Sequence, residues 1–114
     1  MTLEYATDHL TDTLRFLATS EGPLAARLQV AWDEHVQMLW MKPCLTVELL
    51  REFRDLWRRY TAPSDDRQST ALRDLRSDET ARAVHDLLTL WRGVVEAGVG
   101  DDGDLPLATL ADLA

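Results

Sequence analysis

The sequence predicts an all-α fold: a single-domain bundle of about four helices, with a short helical turn and a C-terminal tail. The chain has 114 residues, enough for one compact domain. Hydrophobic residues make up 46% and charged residues 28%, which is typical of globular proteins. Apolar residues recur at helical spacing, while glycine and proline fall almost wholly between the periodic segments. We expect the bundle to span residues 1–98 and the tail residues 99–114.

The charge balance and the cysteine content argue against several classes of protein. The net charge is −8, so the field of the whole molecule would repel a polyanion and argues against direct nucleic-acid binding. The single cysteine forms no internal disulfide. No run of about 18 apolar residues predicts a membrane span, and no signal segment is recognisable. We therefore expect a cytoplasmic protein without a membrane partner.

The first helix is predicted from Leu3 to Thr19, and two of its faces are distinctive: an apolar stripe and a second face with aromatic and polar residues. The main stripe, which we expect in the core, consists of Leu3, Ala6, Leu10, Leu14, Leu17 and Ala18. A second face holds Tyr5, His9, Asp12 and Phe16. No nucleophile lies beside His9 and Asp12, so a catalytic pair is not indicated. This face is either a contact patch for a partner or a surface covered by the C-terminal tail.

The second helix is predicted from Pro23 to Met41. Its second half lies in the stretch VAWDEHVQMLWMKPC, which is rich in the residue types that form metal and cofactor sites. Pro23 suits the first turn, and Pro43 ends the helix. His35 falls in the middle of the apolar stripe and is interpreted as a core histidine. Trp40 falls opposite the stripe. It is either an exposed anchor for a partner or a side chain covered by the turn at residues 42–46.

The residue types in this stretch do not converge on a metal or cofactor site. His35 has no ligand partner one turn away on its own helix, and no histidine of the chain has a glutamate three residues before it. Cys44 lacks a second cysteine. The sequence therefore predicts no metal, no cofactor and no catalytic residue.

The third helix is predicted to begin after Thr46 as its N-cap, with Leu45 and Leu50 placed as a hydrophobic staple. Its apolar face consists of Leu49, Leu50, Phe53, Leu56, Trp57 and Tyr60. Its opposite face carries arginines 51, 54, 58 and 59 among acidic residues three or four positions away. That pattern is typical of a solvated, ion-paired face.

A loop (residues 61–67) and a short helical turn (residues 69–75) precede a last helix, which Ser77 caps and Gly98 stops. Its main apolar positions are Ala81, Val84, Leu88, Trp91 and Val95. Leu87, Leu90 and Val94 widen this arc beyond the stripe that a surface helix needs. The helix is therefore either central in the bundle or the carrier of a second contact surface.

The tail begins with an acidic segment, residues 101–104, and continues with leucines that include Leu107 and Leu110. Asp104 and Pro106 suit the start of a short amphipathic helix. This helix could dock into a groove on a partner or a second copy, or along Leu87, Leu90 and Val94. The tail could equally be disordered.

Three segments together resemble a group of small all-helical bacterial proteins. They are ATSEGPLAARLQVAW, ELLREFRDLWRRYT and ALRDLRSDETARAVHDLLTLW, within residues 18–92. The shared pattern is an Ala-Thr-x-x-Gly start to one helix, a Leu-Arg-x-x-Phe helix and a Ser-Asp-Glu-x-Ala helix. No motif is chemically specific. The resemblance implies a bacterial or phage origin, with a gene placed among accessory or defence genes. It carries over no established activity.

Two functional hypotheses follow from these patterns, beside an enzymatic alternative that would rest on His9 or His35. The first is a non-enzymatic helical interaction module: an adaptor, a small subunit of an assembly, or a homodimer. Its candidate contact residues are Trp40, Tyr5, His9, Phe16, Leu87, Leu90, Val94, Leu107 and Leu110. The second is an acidic inhibitor that occupies a nucleic-acid groove on a defence enzyme. Small size, net charge −8 and acidic clusters at residues 65–66 and 101–104 favour it.

Overall fold

The protein is an all-α bundle, as the sequence predicts. The computed structural model describes residues 3–41, 43–61, 72, 75–99 and 107–108. Within these residues the elements are α1 (Leu3–Thr19), α2 (Leu24–Glu34), a 3-10 helix (Val36–Trp40), α3 (Val47–Thr61) and α4 (Ser77–Val99). None of the described helices is both long and apolar enough to cross a bilayer. Thr61, the first residue of the predicted loop at residues 61–67, is the last residue of α3. The rest of that loop and most of the predicted turn at residues 69–75 lie outside the described residues.

A tight corner joins α1 to α2. Gly22 adopts φ +99°, a conformation that side chains with a Cβ rarely adopt, and Pro23 is the N-cap of α2. The Arg27 guanidinium reaches back to donate to the carbonyls of Gly22 and Leu17. Arg27 thereby satisfies a carbonyl left unpaired at the end of α1 and fixes the turn between the two helices.

The second helix does not run unbroken to Met41, contrary to the prediction. It ends at Glu34, because His35 leaves helical geometry at φ −121° and ψ −50°. The chain continues as a 3-10 helix, in which Met38 and Met41 donate to carbonyls three residues back. A 3-10 helix turns each residue about 20° further than an α-helix, so five residues rotate the following side chains by roughly 100°.

The third helix matches its prediction closely. Thr46 caps it: the backbone N–H of Leu49 donates to the Thr46 hydroxyl at 3.4 Å. Leu45 and Leu50, the predicted staple, are both buried. The predicted apolar face is buried except for Trp57, which is half-buried and packs against the core.

Helices α3 and α4 pack antiparallel. Arg59 near the end of α3 meets Asp86, whereas Leu49 near its start lies beside Gly93, further along α4. A Cβ on Gly93 would lie 3.0 Å from a terminal carbon of Leu49, which is tighter than ordinary contact. The glycine therefore permits the close approach of the two helices.

The core lies between all the helices. On α1 the buried positions are Leu3, Ala6, Leu10, Thr13 and Leu17. Leu14 is half-buried and Ala18 exposed, so the predicted stripe of α1 is wrong at these two positions. The buried Thr13 hydroxyl donates to the His9 carbonyl at 2.8 Å, so a polar residue is accommodated in the core.

Candidate functional site

Trp40 is not an exposed anchor. Its ring centre lies 4.5 Å from that of Phe53 and 5.7 Å from that of Trp57. The half-buried indole therefore packs on α3, since the 3-10 helix rotates it away from the direction that a continuous α-helix would give. Trp32 joins the same aromatic cluster at 5.4 Å from Trp57.

The second face of α1 is also largely covered. Tyr5 and Phe16 pack against the core, and the Tyr5 hydroxyl donates to the Met38 carbonyl at 3.4 Å. The 3-10 helix contributes to this cover, because Met38 belongs to it and it packs on α1. His9 is half-buried, so this face offers a partner less surface than its sequence suggests.

The two apolar sets of α4 lie on different surfaces of the helix. Leu87, Leu90 and Val94 have 0%, 2% and 0% of their surface exposed, so their assignment as an open contact surface is wrong. With Ala83 they form the face of α4 that the other helices cover. The main apolar positions of the predicted arc lie on the flank of that face.

This flank is the apolar surface that α4 presents. Leu88 is 43% exposed, and Val84, Trp91 and Val95 are half-buried. These four residues, which we call the Leu88 stripe, recur at spacings of four, three and four and therefore lie along one side of the helix. Ala81, one turn earlier, is exposed.

Trp91 is held in a defined orientation at the junction of α4 and α1. Its indole N–H donates to the Thr11 hydroxyl at 3.1 Å. Because the polar atom of the side chain is already paired within the protein, the exposed part of Trp91 adds apolar rather than polar surface to the Leu88 stripe.

The described part of the tail docks on the bundle, but not as a helix. Ala108 forms an isolated antiparallel bridge with Leu45, in which its N–H donates to the Leu45 carbonyl at 2.8 Å. Leu107 is half-buried against the core. These two residues are extended, and they lie at the start of α3 rather than along α4. Leu110 and the predicted capping residue Asp104 lie outside the described residues.

A polar groove runs between α3 and α4 on the other side of α4 from the Leu88 stripe. It has a volume of about 240 Å³ and is lined by Glu52, Asp55, Leu56, Arg59, Asp86, Thr89 and Leu90. One Asp86 oxygen accepts from Arg59 and from the Tyr60 hydroxyl, each at 2.7 Å. Burial raises the pKa of Tyr60, and the carboxylate beside it raises that pKa further. The Thr89 hydroxyl donates to the His85 carbonyl. The groove is thus an ion-paired helix contact without an activated nucleophile among these groups.

The arginines of α3 pair less than the sequence predicts. Arg54 approaches Asp55 at 3.5 Å, and Arg59 pairs with Asp86 on the neighbouring helix. Arg51 and Arg58 are exposed and make no ion pair with the described residues. The face is solvated, as expected, but the ion pairs expected at spacings of three and four residues do not form among the described residues.

Cys44 and the acidic and histidine side chains of the described residues form no metal site with three or more ligands. Burial raises the pKa of the Cys44 thiol to about 11, so the protonated, unreactive form dominates at neutral pH. Across the described ranges, no group of three or more histidine, cysteine, aspartate or glutamate residues could hold a metal ion. His35 is half-buried rather than buried, so its interpretation as a core histidine is wrong.

Comparisons with protein-family models, with curated protein sequences and with solved structures found no match for this chain. The Leu88 stripe is the candidate functional surface of the described residues.

Proposed function

We propose that the protein is a non-enzymatic helical interaction module of the bacterial cytoplasm that contacts another protein, or a second copy of itself, through the Leu88 stripe. The observation that carries the proposal is the 43% exposure of Leu88 in the middle of a helix, between half-buried apolar neighbours. Single exposed leucines are common in proteins, but a row of apolar side chains along one helix is typical of a contact surface.

The composition of the stripe supports an interface rather than a ligand pocket. It combines two valines and a leucine with a tryptophan, a residue enriched at the energetic centres of interfaces. The Thr11 hydrogen bond orders the Trp91 ring before any partner arrives, which lowers the entropy that binding costs.

The rim of the stripe is polar, as the rim of an interface usually is. Arg92 pairs with Glu96 at 3.0 Å on the solvent side of α4, and both side chains are well exposed. An apolar row beside charged residues gives a partner both apolar contact area and groups that select its orientation.

The chain contains a matched control for this surface. Val30 is 41% exposed, nearly as much as Leu88, but its neighbours one turn away on α2 include exposed Asp33 and Glu34. Val30 therefore tests the effect of an exposed apolar side chain outside any stripe.

The test is site-specific photocrosslinking in cells, with a benzophenone amino acid at position 88 or at position 30. We expect crosslinks to a defined protein, or to a second copy, from position 88 and a much lower yield from position 30. Sedimentation velocity of purified L88D and V30D then tests the same contact: L88D abolishes the complex and V30D preserves it. Equal yields at the two positions, together with a strictly monomeric wild-type protein, would contradict the proposal.

The acidic-inhibitor hypothesis stays a prediction that rests on the net charge of −8. Its acidic clusters at residues 65–66 and 101–104 lie outside the described residues. Replacing those aspartates by asparagine distinguishes the hypotheses, because the contact through the Leu88 stripe would persist whereas charge-based inhibition would be lost.

A further inference from the structure

Two histidines that are far apart in sequence meet where α1 packs on the end of α2. His9 lies in the middle of α1, and His35 lies between α2 and the 3-10 helix. Their ring centres are 6.4 Å apart, and the ring planes are inclined by 43°. The two histidines are 26 residues apart in the chain, so only the tertiary fold creates the pair.

The His9 ring is held in place but is incompletely hydrogen-bonded. Tyr5 packs edge-on against it, with ring centres 4.5 Å apart. The Nδ1 atom of His9 is enclosed by protein, yet it has no hydrogen-bond partner among the described residues. A buried imidazole nitrogen without a partner is energetically costly unless another group, such as a metal ion, satisfies it.

The separation of the rings is close to that of two imidazoles on one ion. Zinc binds imidazole nitrogen at about 2.0–2.1 Å, which places the ring centres of two such ligands roughly 5–6 Å apart. The observed separation of 6.4 Å lies slightly above this range, so binding of one ion by both rings requires a shift of at least one side chain. Imidazole is a preferred ligand of zinc, nickel and copper ions.

We infer that His9 and His35 form a binding site for a divalent transition-metal ion of the zinc, nickel or copper class. The two imidazoles supply the protein ligands, and water completes the coordination, because the described residues contain no third metal-binding side chain close enough to join them. Such a site is weaker than a structural zinc site with four protein ligands. The net charge of −8 favours a cation over the neutral or anionic ligands that imidazoles could otherwise contact.

The role of the site would be to join α1 to the segment that follows α2. An ion held by both histidines links two elements at the break in the second helix. It stabilises the folded state by an amount that grows with the logarithm of the free ion concentration above the dissociation constant. This inference does not depend on the Leu88 stripe, which lies on α4.

The experiment is a titration of the full chain with ZnCl₂, followed by the NMR signals of the histidine rings. The third histidine, exposed His85 on α4, is an internal control. We expect the ring signals of His9 and His35 to shift with one ion per chain while those of His85 stay unchanged. This measurement uses the wild-type protein, so it remains decisive if a histidine variant fails to fold.

Calorimetric titrations of H9N, H35N and H85N complete the test. We expect each of the first two variants to bind zinc at least about tenfold more weakly, because each loses one of two protein ligands, and H85N to bind like the wild type. Circular dichroism confirms that the variants are folded. Unshifted His9 and His35 signals, or an equal loss of affinity in H85N, would overturn the inference.

Discussion

Leu87 and Leu88 are adjacent residues of the same type on the same helix, yet α4 uses them in opposite ways. Leu87 is completely buried, whereas 43% of the Leu88 surface is exposed. The two leucines differ by about 100° in direction, which places one toward the other helices of the bundle and the other on the flank. The comparison teaches that an apolar arc wider than one stripe contains two surfaces, and that only the neighbouring helices decide which one is the core.

Truncation of each leucine to alanine is expected to give the largest effect. We expect L87A to lower the free energy of unfolding by about 2–5 kcal/mol, because it leaves a cavity in a packed core. L88A should change it by less than about 0.5 kcal/mol, because its side chain is partly solvated in the folded protein. Urea denaturation followed by circular dichroism measures both values. Similar losses in the two variants would show that the two faces are equally packed.

The glycines of α4 extend the comparison to the side that faces α3. We expect G93L to destabilise the fold by about 1–3 kcal/mol, because Leu49 already occupies the space beside Gly93. A Cβ at Gly98 would meet nothing within 4 Å, so G98A should be neutral or stabilising by up to about 1 kcal/mol. Thermal denaturation of both variants distinguishes the outcomes. A neutral G93L would mean that α3 can move away from α4 at little cost.

The Trp91–Thr11 hydrogen bond is expected to make a contribution of about 0.5–1.5 kcal/mol. A double-mutant cycle with W91F, T11V and the combined variant measures the coupling between the two side chains. Coupling near zero would indicate that the indole is not ordered by α1. The same variants test whether preordering of Trp91 contributes to association through the Leu88 stripe.

The smallest effect concerns the polar contact between α3 and Asp86, and it depends on pH. The folded-state pKa of Tyr60 lies above the ordinary value of 10.0, because burial penalises the phenolate and Asp86 repels it. The folded state therefore keeps its proton longer than the unfolded state does. The associated stability is complete below pH 10.0 and falls as the pH rises through the folded-state pKa.

Absorbance titration of the tyrosines at alkaline pH checks this expectation. We expect D86N to lower the pKa of Tyr60, since one of the two causes that raise it is removed. Y60F should lose the part of the alkaline destabilisation that this residue causes. An unchanged Tyr60 pKa in D86N would show that burial alone accounts for the shift.

The local features of this protein could be predicted where they depend only on residues close together in the chain. Thr46 caps α3, Leu45 and Leu50 are buried around the cap, and the apolar face of α3 is nearly as predicted. A cap depends on atoms within one turn, and a single clear stripe has only one face to bury. The break at His35 was not predicted, because no proline or glycine marks it.

The candidate surface could be predicted only in part. The sequence indicated that α4 has more apolar surface than one contact needs, but it assigned the wrong half to the exterior. Trp40 shows the same limit, since its direction depends on a 3-10 segment that the apolar spacing did not reveal.

The sequence by itself determined the all-α class, the positions of α1, α3 and α4, and the packing of the helices around a single core. These features follow from apolar spacing, caps and breakers along the chain. Only the tertiary structure decided that Leu87 is core and Leu88 is surface, that Trp40 packs on α3 and that His9 meets His35. These outcomes depend on which helices become neighbours and at what rotation, and contacts between residues distant in the chain set both.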